Sequence, residues 1–140
     1  MTLNLIRLLH VEDDRIQQDW IARQLATMRD YRFETVYATS EDDALWRFSD
    51  GGFELVILDF HLTQGNGVNC LSRIRQYDSL VPIIAVSGTA SNEIAAMLIT
   101  AGADDYLAKQ SLDSRILGQS VRNVLTRAQA FQSRFAALRN

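Results

Sequence analysis

Leu55-Val56-Ile57-Leu58 is an unbroken aliphatic run that ends directly on Asp59. No polar residue alternates through it, so it reads as a strand buried on both faces, the pattern of a parallel sheet covered by helices. Asp59 then marks the point where the chain leaves the sheet. Upstream, Leu5 to Val11 is a similar run and stops at Glu12-Asp13-Asp14. Downstream, Pro82 opens Ile83 to Val86, its missing N–H being tolerated at a strand's first residue, and Ser87-Gly88-Thr89 follows. Phe33 to Ala38 and Asp105 to Ala108 complete the strand-like segments, and the last of them leads to Lys109.

Helical patterns fill the gaps. From Arg15 to about Met28, Ile16, Trp20, Ile21 and Leu25 recur at helical spacing, with Asp13 or Asp14 placed to cap the first turn. Ser40 caps a second helix whose buried face is Ala44, Leu45 and Phe48, and Gly51-Gly52 ends it. The Gly65-Asn66-Gly67 turn precedes a third helix marked by Val68, Leu71 and Ile74. Ser91 opens a fourth that stops at Gly102, and a long final helix begins near Leu112. Strict alternation of strand and helix predicts parallel strands with crossover helices on both faces, a doubly wound α/β sandwich. In such folds the functional crevice lies beyond the carboxyl ends of the strands.

Composition is consistent with one folded domain. The chain has 140 residues, 47% of them hydrophobic and 22% charged, with a formal net charge of −3. Apolar runs fall far short of the ~18 to 20 residues of a membrane helix. With Cys70 as the lone cysteine, no disulfide closes within the chain, and a cytoplasmic setting without membrane contact is expected. All 17 carboxylates lie at or before Asp113, while Arg115, Arg122, Arg127, Arg134 and Arg139 follow without acidic company. Their spacing fits solvated helix positions and is too sparse for a phosphate footprint, so no direct nucleic-acid partner is expected.

Glu12, Asp13, Asp14, Asp59, Ser87 and Lys109 all fall on the predicted carboxyl edge. Individually Asp14 and Ser87 are ordinary caps; jointly the carboxylates would repel one another and raise each other's pKa unless a cation compensates. Mg²⁺ suits a few carboxylates with water and phosphate oxygens, whereas the regular oxygen spacing of a calcium loop is absent and His10, His61 and Cys70 lack zinc spacing. These parts suit phosphoryl transfer, with Asp59 as nucleophile, Lys109 and the cation on phosphoryl oxygens, Ser87 as hydroxyl donor and Gly88 leaving room.

The segments L-L-H-V-E-D-D, V-I-L-D-F-H-L with a following glycine, I-I-A-V-S-G and G-A-D-D-Y-L-A-K, in that order, resemble the receiver domain of two-component response regulators over about residues 5–125. The resemblance implies a flavodoxin-like (βα)5 sandwich with strand order 2-1-3-4-5, and Asp59 as phosphoacceptor. It implies metal contacts from Asp13, Asp59 and the backbone carbonyl of His61, with Glu12 acting through water. It makes Ser87 and Tyr106 the switch pair, Gly88 and Thr89 part of the phosphoryl pocket, and Lys109 the catalytic lysine. It places His61 where side chains influence water access, and implies a histidine kinase or phosphotransfer protein as donor. Output would pass through the surface of the fourth helix, fifth strand and fifth helix to an effector domain or protein. Two departures stand out. Gln110 follows Lys109 where the family usually has a cis proline, so a trans bond is expected, a cis bond before a non-proline costing about 3 to 4 kcal/mol. Thr63 stands where a proline is common four residues after the phosphoacceptor.

Residues 1–127 are expected to form the receiver, and residues 128–140 an extension of the last helix. Leu117, Val121, Val124, Ala128, Phe131, Phe135 and Leu138 form a heptad seam, so beyond Arg127 a homodimer or a connector is expected to cover Phe131, Phe135 and Leu138, the alternative being a frayed tail or a helix folded back on its own domain. The competing classes are a pseudo-receiver that signals without phosphorylation and a phosphatase with an aspartyl nucleophile. The retained acids, Ser87 and Lys109 argue against the first. The second lacks another carboxylate just after Asp59 and a cap domain.

Overall fold

The fold is that of a computed structural model, which describes residues 4–89 and 91–139, the side chains of Phe135, Ala137 and Arg139 excepted. Strands β1 (Asn4–Val11), β2 (Tyr31–Ala38), β3 (Leu55–Asp59), β4 (Ile83–Ser87) and β5 (Asp105–Ala108) alternate with helices α1 (Arg15–Ala26), α2 (Glu41–Ser49), α3 (Gly67–Tyr77), α4 (Asn92–Ala101) and α5 (Ser114–Arg139). All strand pairings are parallel, in the order β2-β1-β3-β4-β5. This is the doubly wound sandwich expected from the alternation of elements, with the flavodoxin-like strand order that the resemblance implies.

The unbroken apolar strands follow from cover on both faces. Leu9, Val11, Val56 and Leu58 pack against Leu45 and Phe48 of α2, Leu71 and Ile74 of α3 and Leu98 of α4. The alternate residues Ile6, Leu8, Leu55 and Ile57 pack against Ile21 and Leu25 of α1 and Leu117, Val121 and Val124 of α5. Each strand therefore contributes to two cores, and a one-residue slip would exchange them.

Caps account for the element boundaries. Asp14 accepts from the Ile16 N–H at 2.9 Å, Ser40 from Asp43, Asn66 from Val68 and Asn69, and Ser91 from Ile94. Gly102 ends α4 at φ 119°, a left-handed conformation that L side chains rarely adopt.

Several boundaries differ from the sequence expectation. Asp59 is the last residue of β3 and pairs with Val86, so its side chain is delivered by the sheet itself rather than by a loop beyond it. α1 stops at Ala26, since Thr27 returns its hydroxyl to the Gln24 carbonyl. β2 begins at Tyr31, because it pairs with β1 from Asn4 onward. The last helix begins at Ser114, after a 3₁₀ turn over Lys109–Ser111, with Asp113 accepting from the Ile116 N–H.

The end of α5 runs beyond the buried part of the domain. Burial on the domain reaches Val124 and Leu125. Phe131, still half exposed, lines a groove of about 180 Å³ with Leu80, Pro82, Val124 and Ala128. The α3–β4 connection of its own domain thus lies beside Phe131. Leu138 is exposed, and the Phe135 side chain lies outside the described residues. Among the described residues no helix is long and apolar enough to cross a membrane.

His10 is the buried polar side chain of β1, its ring centroid 5.7 Å from that of Tyr37. Burial first, and the Lys109 charge second, lower its pKa from 6.5 to about 3. An unfolded chain would take up a proton near pH 6.5 that the fold refuses down to about pH 3, so this group withdraws stability as pH falls through that window. Urea unfolding at pH 7 and pH 5 is expected to show that His10→Gln loses about 2 kcal/mol less than the wild type over that interval. Equal losses in the two proteins would refute the neutral burial of His10.

Candidate functional site

The sheet register assembles the acidic edge. Val11 pairs with Leu58, Asp59 with Val86 and Ser87 with Ala108. Glu12, Asp59, Ser87 and Lys109 therefore leave the sheet within about two residues of one level. Asp59 and Ser87 end their strands, and Glu12 and Lys109 follow theirs directly, so none depends on a long loop for its position.

Lys109 joins two of these carboxylates. Its Nζ donates to Glu12 Oε1 and to Asp59 Oδ2, both at 2.9 Å. The other oxygens are also engaged, Glu12 Oε2 by the Asp14 N–H at 3.2 Å and Asp59 Oδ1 by the His61 N–H at 3.1 Å. Glu12 and Asp59 are buried, and Lys109 is partly so. Burial pushes Glu12 up to about 7 against the opposing hydrogen bond from Lys109, with the Asp59 charge adding to the rise. Burial acts to lower Lys109, but its hydrogen bonds to Asp59 and Glu12 outweigh that and leave its pKa raised.

The peptide bond from Lys109 to Gln110 is trans, as expected without proline. The 3₁₀ turn carries the chain away from β5, with the Leu112 N–H reaching the Lys109 carbonyl, while the ammonium still spans both carboxylates. Gln18 on α1 adds a tie at 2.7 Å to the Glu12 carbonyl.

Asp13 is held differently. Its Oδ2 accepts from the Thr63 backbone N–H at 2.8 Å and from the Thr63 hydroxyl. The Thr63 hydroxyl is the leading cause of a lowered Asp13 pKa. Asp13 and Thr63 line an open depression with Phe60, His61, Leu62, Gly65 and Asn66.

The β3–α3 loop is in turn fastened to the start of α2. The Glu41 N–H donates to the Gln64 carbonyl, and Glu41 Oε1 accepts from the Asn66 N–H at 3.1 Å. Arg73 holds the other Glu41 oxygen at 2.6 Å. Gly65, at φ 96°, lies so close to Glu41 that a Cβ would fall 2.5 Å from the Glu41 Cβ, and a Cβ on Gly67 would meet the Phe60 Cα at 2.6 Å. Both glycines permit approaches that a side chain would block.

The remaining sequence candidates sit beside the pocket. Ser87 is buried, and its hydroxyl faces Thr89, donating to that carbonyl at 3.2 Å and accepting from that N–H at 3.2 Å. The Tyr106 hydroxyl donates to the same carbonyl at 2.8 Å. Gly88 is exposed, and a Cβ there would meet nothing within 4 Å. The His61 side chain is exposed and stands edge-on to Phe60. Cys70 is buried within the core, its thiol pushed by burial up to about 12. Sequence reasoning placed Glu12, Asp59 and Lys109 together correctly, but missed the roles of Thr63 and Glu41 in holding the loop. The local sequence carries no signal for either contact, each partner lying 25 or more residues away.

Residues 8–122 match the response regulator receiver domain family. The regulatory protein VanRB of Enterococcus faecalis is 32% identical over 131 residues, covering 93% of this chain and 57% of that protein. The transcription factor prr1 of Schizosaccharomyces pombe is 28% identical over 127 residues, covering 91% of this chain and 23% of that protein. The chain thus spans only part of these curated relatives. A CheY-like receiver domain structure from Methanospirillum hungatei superposes with a TM-score of 0.79 at 25% identity, covering 92% of this chain and 98% of its own. The strand order, the acidic edge and the family match converge: this chain belongs to the response regulator receiver domain family.

Proposed function

We propose that the chain is a phosphorylatable receiver in two-component signalling, with Asp59 as phosphoacceptor and a phosphorylated histidine of a kinase or phosphotransfer protein as donor. The observation that carries this reading is Lys109, one ammonium 2.9 Å from both Glu12 and Asp59 at the carboxyl edge of the sheet. An Asp59 oxygen attacks phosphorus and forms the O–P bond as the histidine N–P bond breaks. The imidazole nitrogen leaves with the electron pair and regains its proton from solvent.

Such a transfer asks mainly for positioning and charge stabilisation. Lys109 and the His61 N–H hold the Asp59 carboxylate in place, and the ammonium is within reach of the incoming phosphoryl oxygens. Gly88 leaves the approach open.

The donor set fits Mg²⁺, which needs only one or two carboxylates together with water. Asp13, Asp59 and the His61 carbonyl would hold it, with Glu12 acting through water. When bound, Mg²⁺ supplies positive charge to the transferring phosphoryl group.

Ser87 supplies the switch. Its hydroxyl has one proton, which it donates to the Thr89 carbonyl; a phosphoryl oxygen would claim that proton and release a carbonyl to which Tyr106 is also tied. The β4–α4 segment then shifts relative to Tyr106, and the α4-β5-α5 surface presents a different face to an effector.

Intact mass after incubation with acetyl phosphate and Mg²⁺ tests the reading. One phosphoryl adduct is expected in the wild type, and none in Asp59→Asn or in metal-free protein. Absence of the adduct with this donor and with a phosphohistidine protein, in a folded sample, would favour the pseudo-receiver instead.

Glu12 gives a second test. With its pKa near 7 in the metal-free pocket, Glu12 is largely protonated at pH 6 and contributes little charge to cation binding. Mg²⁺ affinity in titration calorimetry is expected to rise up to roughly tenfold from pH 6 to pH 8. Glu12→Gln should flatten that rise, and an equally steep profile in the variant would assign it to another group.

A further inference from the structure

We propose that Thr63 is a positioning residue for the Mg²⁺ site, holding the Asp13 carboxylate at the pocket before the cation arrives; this rests on the receiver reading above. Asp13 leaves the sheet one residue after Glu12, but Lys109 does not hold it: the ammonium bonds Glu12 and Asp59. A partly exposed carboxylate held by nothing on the loop side is free to turn outward to water.

Thr63 prevents that with two donors on one atom. Its backbone N–H and its hydroxyl both reach Asp13 Oδ2, which fixes that oxygen towards the loop. Hydrogen bonds to a metal-ligating carboxylate orient it and reduce the ordering that binding must impose.

The position can do this because of what it is and where the loop is tied. Proline at this position would offer neither an N–H nor a hydroxyl. The loop itself is fixed independently of Asp13, since Glu41 accepts from Asn66 and donates to Gln64 on the far side of Thr63. Thr63 is therefore presented to Asp13 by a loop clamped to α2, and the pair spans 50 residues of sequence.

The test is Mg²⁺ titration by calorimetry on the unphosphorylated protein. Thr63→Val keeps the size and the N–H but removes the hydroxyl, and the dissociation constant is expected to rise roughly three- to tenfold. Thr63→Ser restores the donor and should return to within about twofold of wild type. Phosphorylation by acetyl phosphate should need correspondingly more Mg²⁺ for half-saturation in Thr63→Val, with the rate at saturating Mg²⁺ little changed. Thermal unfolding without metal identifies any variant that has lost its fold.

A Val variant that is folded and binds Mg²⁺ as well as wild type overturns the proposal. Tighter binding also overturns it, because the hydroxyl would then be competing with the cation. If the wild type binds no Mg²⁺ at all, the receiver reading falls and this inference with it. Wild-type binding without a difference in Thr63→Val sinks the inference alone.

Discussion

The Lys109 ammonium between Glu12 and Asp59 is the constraint on which the pocket depends. Two carboxylates buried at the edge of an apolar sheet would be costly as charges, and removing the partner of a buried ion typically costs about 3 to 5 kcal/mol. The cation and each carboxylate come from different strands, so the pair forms only when β1, β3 and β5 end at the right level. Register is set by the two cores, whose alternating residues leave β3 no freedom to slip. The apolar packing thus fixes the chemistry: burial raises Glu12 towards 7, while the hydrogen bonds to Asp59 and Glu12 outweigh burial at Lys109 and keep it charged.

The two departures from the usual receiver pattern are absorbed by hydrogen bonds. Without a cis proline after Lys109, the chain turns through a trans bond and a 3₁₀ turn, and the lysine's length still carries the ammonium to both carboxylates. Without the proline four residues past Asp59, the β3–α3 loop is ordered by Glu41 from outside and by Thr63 towards Asp13. Proline stiffens a loop by restricting φ; hydrogen bonds stiffen it only while their partners hold. The present arrangement therefore makes loop order depend on the Glu41 contacts, where proline would make it intrinsic.

This difference also explains what was legible in the sequence. Strand Leu55–Asp59 could be read because burial on both faces removes alternation, and the acids could be grouped because parallel strands of a doubly wound sheet deliver their ends to one edge. The caps Asp14, Ser40 and Ser91 were local and readable. The Thr63 contact was not, since a threonine in a loop looks the same whether or not a carboxylate 50 residues away meets it. Nor was the place of Asp59 within the sheet, which is decided by a hydrogen-bonded neighbour on β4 rather than by its own neighbours in sequence. At Phe131 the heptad pattern continues past Arg127, but periodicity cannot distinguish a partner helix from Leu80 and Pro82 of the same domain.

On the proposed reading, the shared carbonyl of Thr89 sets the scale of the switch. Its two lone pairs take the Ser87 and Tyr106 hydroxyls, and neither bond reaches the pocket directly. A neutral hydrogen bond of this kind contributes about 0.5 to 1.5 kcal/mol, and one to a charged acceptor about 1.5 to 3 kcal/mol. Transferring the Ser87 proton from carbonyl to phosphoryl oxygen therefore gains roughly 1 to 2 kcal/mol, before any cost of moving the loop. That is about a five- to thirtyfold change in an equilibrium. An element biased by such an amount shifts its population rather than changing completely, and reversing a 99:1 preference takes about 5.5 kcal/mol. The rest of the bias would have to come from the effector, whose preference for one arrangement of α4, β5 and α5 adds to that of the phosphoryl group.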